Sequence, residues 1–253
     1  MYITLHIMQQ SINKIGKNDK MRNNNKEHGK KQKIGKIQQL IKQPKNDSDD
    51  DCESESAENF LFGGSPPERI FRDGSHIYYT SSVTLDSINK LAKMINTVNN
   101  DYDKEAKNVK YGKYTAKPIY LHIHSFGGSL FDGFRAMNMI ENSKYPIHTI
   151  VEGVACSAGS MMYLGGKKRY MTNNSYLLIH QLSSGASGKF EELKDDFVNN
   201  EKLMRDIINI YVTKSKNSIS QTELEDILKR DLFWDVETCS KYNLVDSIYN
   251  GTK

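Results

Sequence analysis

A nucleophilic hydroxyl is most useful where a strand gives way to a helix, and one stretch of this chain has that form. Gly153-Val154-Ala155-Cys156-Ser157-Ala158-Gly159-Ser160 follows the β-branched run Ile147 to Val151 and precedes the helical pattern Met161-Met162-Tyr163-Leu164. Small residues at such a junction allow a tight turn and a close backbone approach to a bound carbonyl. Ser157 would stand at the first helical turn, among free N–H groups and at the positive end of the dipole. Exposure and oxyanion donors are what a serine nucleophile needs. A packed turn without chemistry satisfies the same octet.

A base and a group to orient it must come from elsewhere in the chain. His6 and His28 belong to the amino-terminal stretch, His76 precedes a strand, and His122, His124 and His148 fall within strands, where structural roles are commoner. His180 closes the apolar strand Tyr176 to Ile179 and opens the polar loop Gln181 to Gly188, which suits a general base. Asp231 leads the aromatic run Leu232-Phe233-Trp234, where an aspartate can be partly buried and hold an imidazole tautomer. Asp246 is a rival in the last strand, and Asp235 has the place of a helix cap. Gly127-Gly128 offers unobstructed N–H groups, which together with the N–H of Ala158 would form an oxyanion hole. Glycine also suits a purely structural turn there. A phosphate loop is disfavoured, since neither GxxxxGK[ST] nor GxGxxG follows a strand.

These residues need elements to hold them. From Arg69 onward strands and helices alternate: a strand at 77–83, a helix capped by Thr84 with Ile88, Leu91, Ile95 and Val98 on one face, a polar insertion at 99–117, and a strand at 118–124. A helix after Ser129, the strand 147–152, the helix to Leu164 and strands at 169–171 and 176–179 continue the pattern. Such alternation predicts a mostly parallel sheet with right-handed crossovers, and sites in such sheets gather at the carboxyl ends of strands. The turns at 127–128, 155–159 and 180–181 all fall there. A long helix over 189–215 carries Phe190, Leu193, Phe197, Met204, Ile207, Ile208 and Tyr211 at helical spacing, and its apolar stripe needs a partner, such as a second subunit. Ser220 and Asp235 mark the starts of two short helices.

The 253 residues suffice for one sizeable domain plus an appendage, and the net charge of +4 hides a polarised start. Residues 1–45 hold eleven Lys and Arg against Asp19 and Glu27, while residues 46–58 are acidic without a base. Residues 1–68 therefore read as a disordered basic-then-acidic extension, and 69–253 as the folded domain. Ile34, Ile37, Leu40 and Ile41 have the spacing of a short amphipathic helix. Nucleic-acid binding through the basic block is a weak expectation, since aromatic residues are not interleaved with it. Cys52, Cys156 and Cys239 are too far apart in sequence for a zinc motif or disulfide framework, so no cofactor or metal is expected, and Cys156 reads as a small buried filler. No apolar run reaches membrane length and no signal peptide is evident, so a cytoplasmic location is expected, with organellar import left open.

Together these motifs resemble ClpP, the serine peptidase subunit of the Clp proteases, over roughly residues 70–249. Ser125-Phe126-Gly127-Gly128-Ser129 is similar to the family's glycine turn, Gly153 to Gly159 to its nucleophile motif, and Ile179-His180-Gln181 to its histidine segment. Arg230-Asp231 and Tyr242-Asn243-Leu244-Val245-Asp246 are similar to its last segment. Phe126 stands where the family has proline, Cys156 where it has alanine, and Leu182 where it usually has proline. The family's amino-terminal axial loop has no counterpart before Arg69.

The resemblance implies an α/β fold of the ClpP/crotonase type with a projecting handle at about 182–215. It implies Ser157 as nucleophile, His180 as general acid and base, Asp231 as its orienting group, and oxyanion donors at Gly128 and Ala158. It further implies a homo-oligomer of stacked rings, typically heptamers, that cleaves unfolded polypeptides supplied by an AAA+ unfoldase. Two alternatives come from other classes: a crotonase-type acyl-CoA hydratase or isomerase, and an inactive ring scaffold with a nucleic-acid-binding tail.

Overall fold

The run Ile147–Cys156 buries Ile147, Thr149, Ile150, Val151, Ala155 and Cys156, while His148 and Glu152 are only half-buried. In the computed structural model, which describes residues 69–110, 114–115 and 117–251, it is the central strand, β4. The described residues all belong to the second of the chain's two units, Glu55–Lys253. Before it come β1 (Arg69–Asp73), β2 (His76–Thr80) and β3 (Ile119–Ser125). After it come β5 (Lys168–Met171), β6 (Tyr176–Ile179), β7 (Leu232–Trp234) and β8 (Ser247–Ile248). The sheet runs β1-β2-β3-β4-β5-β8, and β6 pairs with both β4 and β7. All pairs are parallel except β1 with β2 and β6 with β7.

One feature of β4 decides where the site lies. Its first half pairs with β5 from His148 to Val151, and its last three residues pair with β6. The change falls at Gly153, whose φ of +86° is open to glycine, and a Cβ there would lie 2.6 Å from Nδ1 of His124. The register against β3 shifts at the same point, between Ile123 and Ser125. The strand thus bends out of one part of the sheet and carries its end, Cys156, to β6.

Helices α1 (Leu85–Asn108), α2 (Leu130–Glu141) and α3 (Ala158–Leu164) bury their apolar faces with the sheet's odd-numbered side chains, including Ile77, Tyr79, Leu121 and Ile123. The even-numbered side chains of β2 to β4 form a half-buried strip of rings and imidazoles, with Tyr78 stacked on His122 and His76 on Tyr120. Thr84 caps α1 in a reciprocal capping box with Ser87. The insertion expected at 99–117 is instead helical as far as Asn108. Val98 and Tyr102 extend the buried stripe by one turn, and Arg72 with Asp101 and Lys144 with Asp103 anchor its polar side. Strand β1 is an addition, joined to β2 by a tight hairpin at Gly74-Ser75.

The carboxyl-terminal elements are α4 (Phe190–Lys214), α5 (Gln221–Ile227) and α6 (Val236–Lys241). The second half of α4 buries Ile207, Ile208 and Tyr211, while Phe190, Phe197 and Val198 in its first half are exposed. Ser220 and Asp235 cap α5 and α6 as expected. The amphipathic pattern at Ile34, Ile37, Leu40 and Ile41 and the basic and acidic blocks lie outside the described residues. Among the described residues no helix is long and apolar enough to cross a membrane.

Candidate active site

Ser157 occupies the single residue between β4 and α3, and its backbone takes φ 51° and ψ −123°. A residue with a Cβ pays about 1–3 kcal/mol for such a conformation. It is held there because Cys156 is locked into the sheet, Ser157 N–H donates to the Leu178 carbonyl at 2.9 Å, and α3 begins at the next residue. Strained strand-to-helix turns of this kind lift a side chain clear of the backbone, and the Ser157 hydroxyl is not consumed in capping α3.

The same β4–β6 pairing brings His180 to the site. Ile179 is the last residue of β6, so His180 follows directly beyond the sheet, half-buried. In the antiparallel β6–β7 pair Ile179 faces Leu232, which sets Asp231 opposite His180 where the two strands run out. Gln181 N–H donates to the Leu228 carbonyl at 3.1 Å and ties the two segments together. Ser157 and His180 line one cavity of about 490 Å³ with Gly127, Gly128, Ala158, Met161 and Tyr211. Asp231 does not line it. Its side chain is exposed, against the expectation of partial burial, because the neighbouring Leu232 and Phe233 are themselves exposed and provide no cover. No hydrogen bond joins Ser157, His180 and Asp231 to one another in the isolated chain.

The rival carboxylates have other work. Asp246 accepts from the Arg169 backbone at 2.9 Å and from its guanidinium at 3.3 and 3.4 Å. Burial raises the Asp246 pKa, but the Arg169 hydrogen bonds outweigh it and hold the carboxyl below its ordinary value. Asp235 accepts from Thr238 N–H at 2.8 Å, and that bond keeps its pKa low. His122 is buried between His76 and Glu152, with ring nitrogens 2.9 and 2.7 Å from them, and His124 Nδ1 lies 3.0 Å from the Glu152 carbonyl. Both imidazoles are thus engaged by groups of the neighbouring strands.

The glycine turn supplies donors. Val83 N–H donates to Gly127 at 2.6 Å and Ser129 N–H to Val83 at 2.8 Å, so the intervening Gly128 N–H is left with no acceptor among the described residues. Ala158, the first residue of α3, has a similarly unused N–H. Both residues line the cavity beside Ser157. Gly127 has φ +103°, and a Cβ on it would lie 2.8 Å from both the Cys156 carbonyl and the Ser157 Cβ. The turn and the elbow are therefore in direct contact. Cys156 is buried, as a filler should be. Among the described residues no cluster of His, Cys, Asp and Glu is arranged to hold a metal ion.

Several lining residues went unassigned in the sequence. Ser82, Met161, Ile207 and Tyr211 read there as strand end or helix stripe, and only the folding of α4 over the elbow brings the last two to the cavity.

A sequence profile of the family described as Clp protease matches residues 109–252, more than half of the chain. The chain belongs to the Clp protease family. The ATP-dependent Clp protease proteolytic subunit of Deinococcus radiodurans is 30% identical over 137 residues, which cover 53% of this chain and 66% of that protein, just under two thirds of its length. A mutant of ClpP1 from Listeria monocytogenes superposes with a TM-score of 0.59 at 18% identity, covering 71% of this chain and 93% of that one. That likeness shows a shared ClpP fold. Membership favours neither the crotonase nor the scaffold alternative.

Proposed function

We propose that the protein is a serine endopeptidase that cleaves unfolded polypeptides through an acyl-enzyme, with Ser157, His180 and Asp231 as its triad. The observation that carries this reading is the strained elbow, which presents Ser157 in one cavity with His180 and with the unused N–H groups of Gly128 and Ala158. In the proposed cycle His180 takes the Ser157 proton as Oγ attacks the peptide carbonyl. The oxyanion that forms accepts from Gly128 and Ala158. His180 then protonates the leaving amine, and water attacks the acyl-enzyme by the same route in reverse. Asp231 would hold the imidazole by its other nitrogen and stabilise its charged form.

The open arrangement of the three side chains in the isolated chain is consistent with a site completed by assembly. The first half of α4 leaves Phe190, Phe197 and Val198 exposed, which supports a ring-stacked homo-oligomer. Partnership with an ATP-driven unfoldase and a cytoplasmic location are part of the same proposal. The test is labelling by a fluorophosphonate probe together with turnover of a fluorogenic peptide. Covalent modification at Ser157 and loss of both signals in Ser157→Ala are expected. A protein that neither labels nor cleaves while correctly assembled would overturn the reading.

A further inference from the structure

Ser160, the third residue of α3, is completely buried, although serine has no need to be there for packing. Its Oγ lies 2.5 Å from the Ser157 carbonyl oxygen and 2.5 Å from the hydroxyl of Tyr211. Donor counting sets the direction of this chain. A carbonyl only accepts, so Ser160 must donate its one hydrogen to Ser157, and Tyr211 must then donate to Ser160. Tyr211 comes from α4 and is 2% exposed. Burial pushes its phenol pKa well above the ordinary value, against a smaller opposing effect of the Ser160 bond, so the donor keeps its proton.

The carbonyl that receives this chain shares a peptide unit with the Ala158 N–H. The unit is planar and trans, so fixing where the C=O points also fixes where the N–H points, in the opposite direction. The C=O is turned into α3, where the Ser160 and Met161 N–H groups also reach it at 3.0 and 3.4 Å. The N–H is thereby turned away from α3. Hydrogen bonding to the carbonyl also polarises the unit and strengthens its N–H as a donor.

We propose that Tyr211 and Ser160 are positioning residues: a buried two-hydroxyl clamp that aims the Ala158 N–H at the oxyanion. The proposal rests on the reading of Ser157 as nucleophile and Ala158 as oxyanion donor. It assigns a role in the reaction to two hydroxyls that hydrogen-bond to each other and to the Ser157 carbonyl.

The test compares Tyr211→Phe, Ser160→Ala, their double variant and the isosteric pair Ser160→Thr and Ser160→Val, all in the full chain. Turnover of a fluorogenic peptide and inhibition by a peptide aldehyde, whose hemiacetal oxygen mimics the oxyanion, are the readouts. Misaiming one donor should lower kcat roughly 10-fold, less than the 10²–10³ for removing one, with KM held within about two-fold. Aldehyde affinity should fall by the same factor as kcat. The double variant should lose no more than either single one, since the two hydroxyls act in series. Ser160→Thr should retain activity that Ser160→Val lacks, and this comparison stands even if removal of the Tyr211 hydroxyl prevents folding. A purely structural role would change the melting temperature without moving aldehyde affinity in step with kcat. Wild-type turnover combined with unchanged kcat in Tyr211→Phe and Ser160→Val would sink the clamp alone. Absence of wild-type labelling and turnover would remove the nucleophile reading and the clamp with it.

Discussion

Ser157 and Gly127 press against each other so closely that each dictates what the other can be. An alanine at 127 would have to hold φ +103° and place a methyl carbon 2.8 Å from the Ser157 Cβ. We expect Gly127→Ala to cost roughly 2–3 kcal/mol in urea unfolding and to depress peptide turnover as well, because the displaced group is the proposed nucleophile. Ser157 itself separates stability from chemistry. Ser157→Ala and Ser157→Gly should both reduce turnover on the order of 10³-fold or more. Only glycine relieves the backbone at φ 51°, so Ser157→Gly should unfold about 1 kcal/mol later than Ser157→Ala. Equal unfolding midpoints for the two would show that the elbow stores no strain.

At the scale of elements, the strip of imidazoles on β2, β3 and β4 makes the sheet sensitive to acid. Burial, and then the neighbouring His122, lower the pKa of His76 against opposing pulls from Asp73 and Glu152. Burial and Lys168 lower that of His148, opposed by Asp246. Each folds with a pKa below the ordinary 6.5, so the unfolded chain binds more protons, and stability falls as pH drops through and below 6.5. The Glu152 carboxyl lies below its ordinary 4.5, first through its His122 bond and against the effect of burial. Its contribution is complete above 4.5 and is lost as pH falls through the lower folded value. The urea midpoint should therefore decline in two stages, and a His76→Asn, His148→Asn double variant should flatten the first while leaving the second. A midpoint in the wild type that is constant from pH 8 to pH 5 would refute this. Much of this layer was legible beforehand. The alternation of strands and helices, the three turns at strand ends, and the caps at Thr84, Ser220 and Asp235 follow from local patterns. The fork in β4 was not, because Gly153 read as the start of a turn and only the two sets of pairing partners reveal a bend within one strand. The first hairpin left a signal, Gly74 at the first turn position, but Arg69–Asp73 alternates too weakly to announce a strand. The exposure of Asp231 depends on what covers Leu232 and Phe233, and no local pattern carries that information.

For the whole molecule the open question is what covers the first half of α4. Phe190, Phe197 and Val198 are 70%, 64% and 59% exposed on a helix whose other half is buried by Ile207, Ile208 and Tyr211. Phe190, Leu193 and Phe197 share one side at helical spacing, and the charged side chains Glu191, Glu192, Lys194 and Asp195 flank them. An exposed apolar stripe of this kind suits a two-fold contact with a second copy, in which each substitution is felt twice. Burying a phenylalanine is worth roughly 1.5–3 kcal/mol, so Phe197→Asp should weaken such a contact by about 3–6 kcal/mol, a factor on the order of 10² to 10⁴ in dissociation. Native mass spectrometry or sedimentation on dilution should show Phe197→Asp as a smaller species than the wild type, with Ser157→Ala unchanged in size. If assembly also completes the triad, peptide turnover should fall with the mass in Phe197→Asp and return at high protein concentration. A Phe197→Asp protein with wild-type mass would place the subunit contact elsewhere, and one that dissociates yet keeps full turnover would mean that Ser157, His180 and Asp231 come together within a single chain.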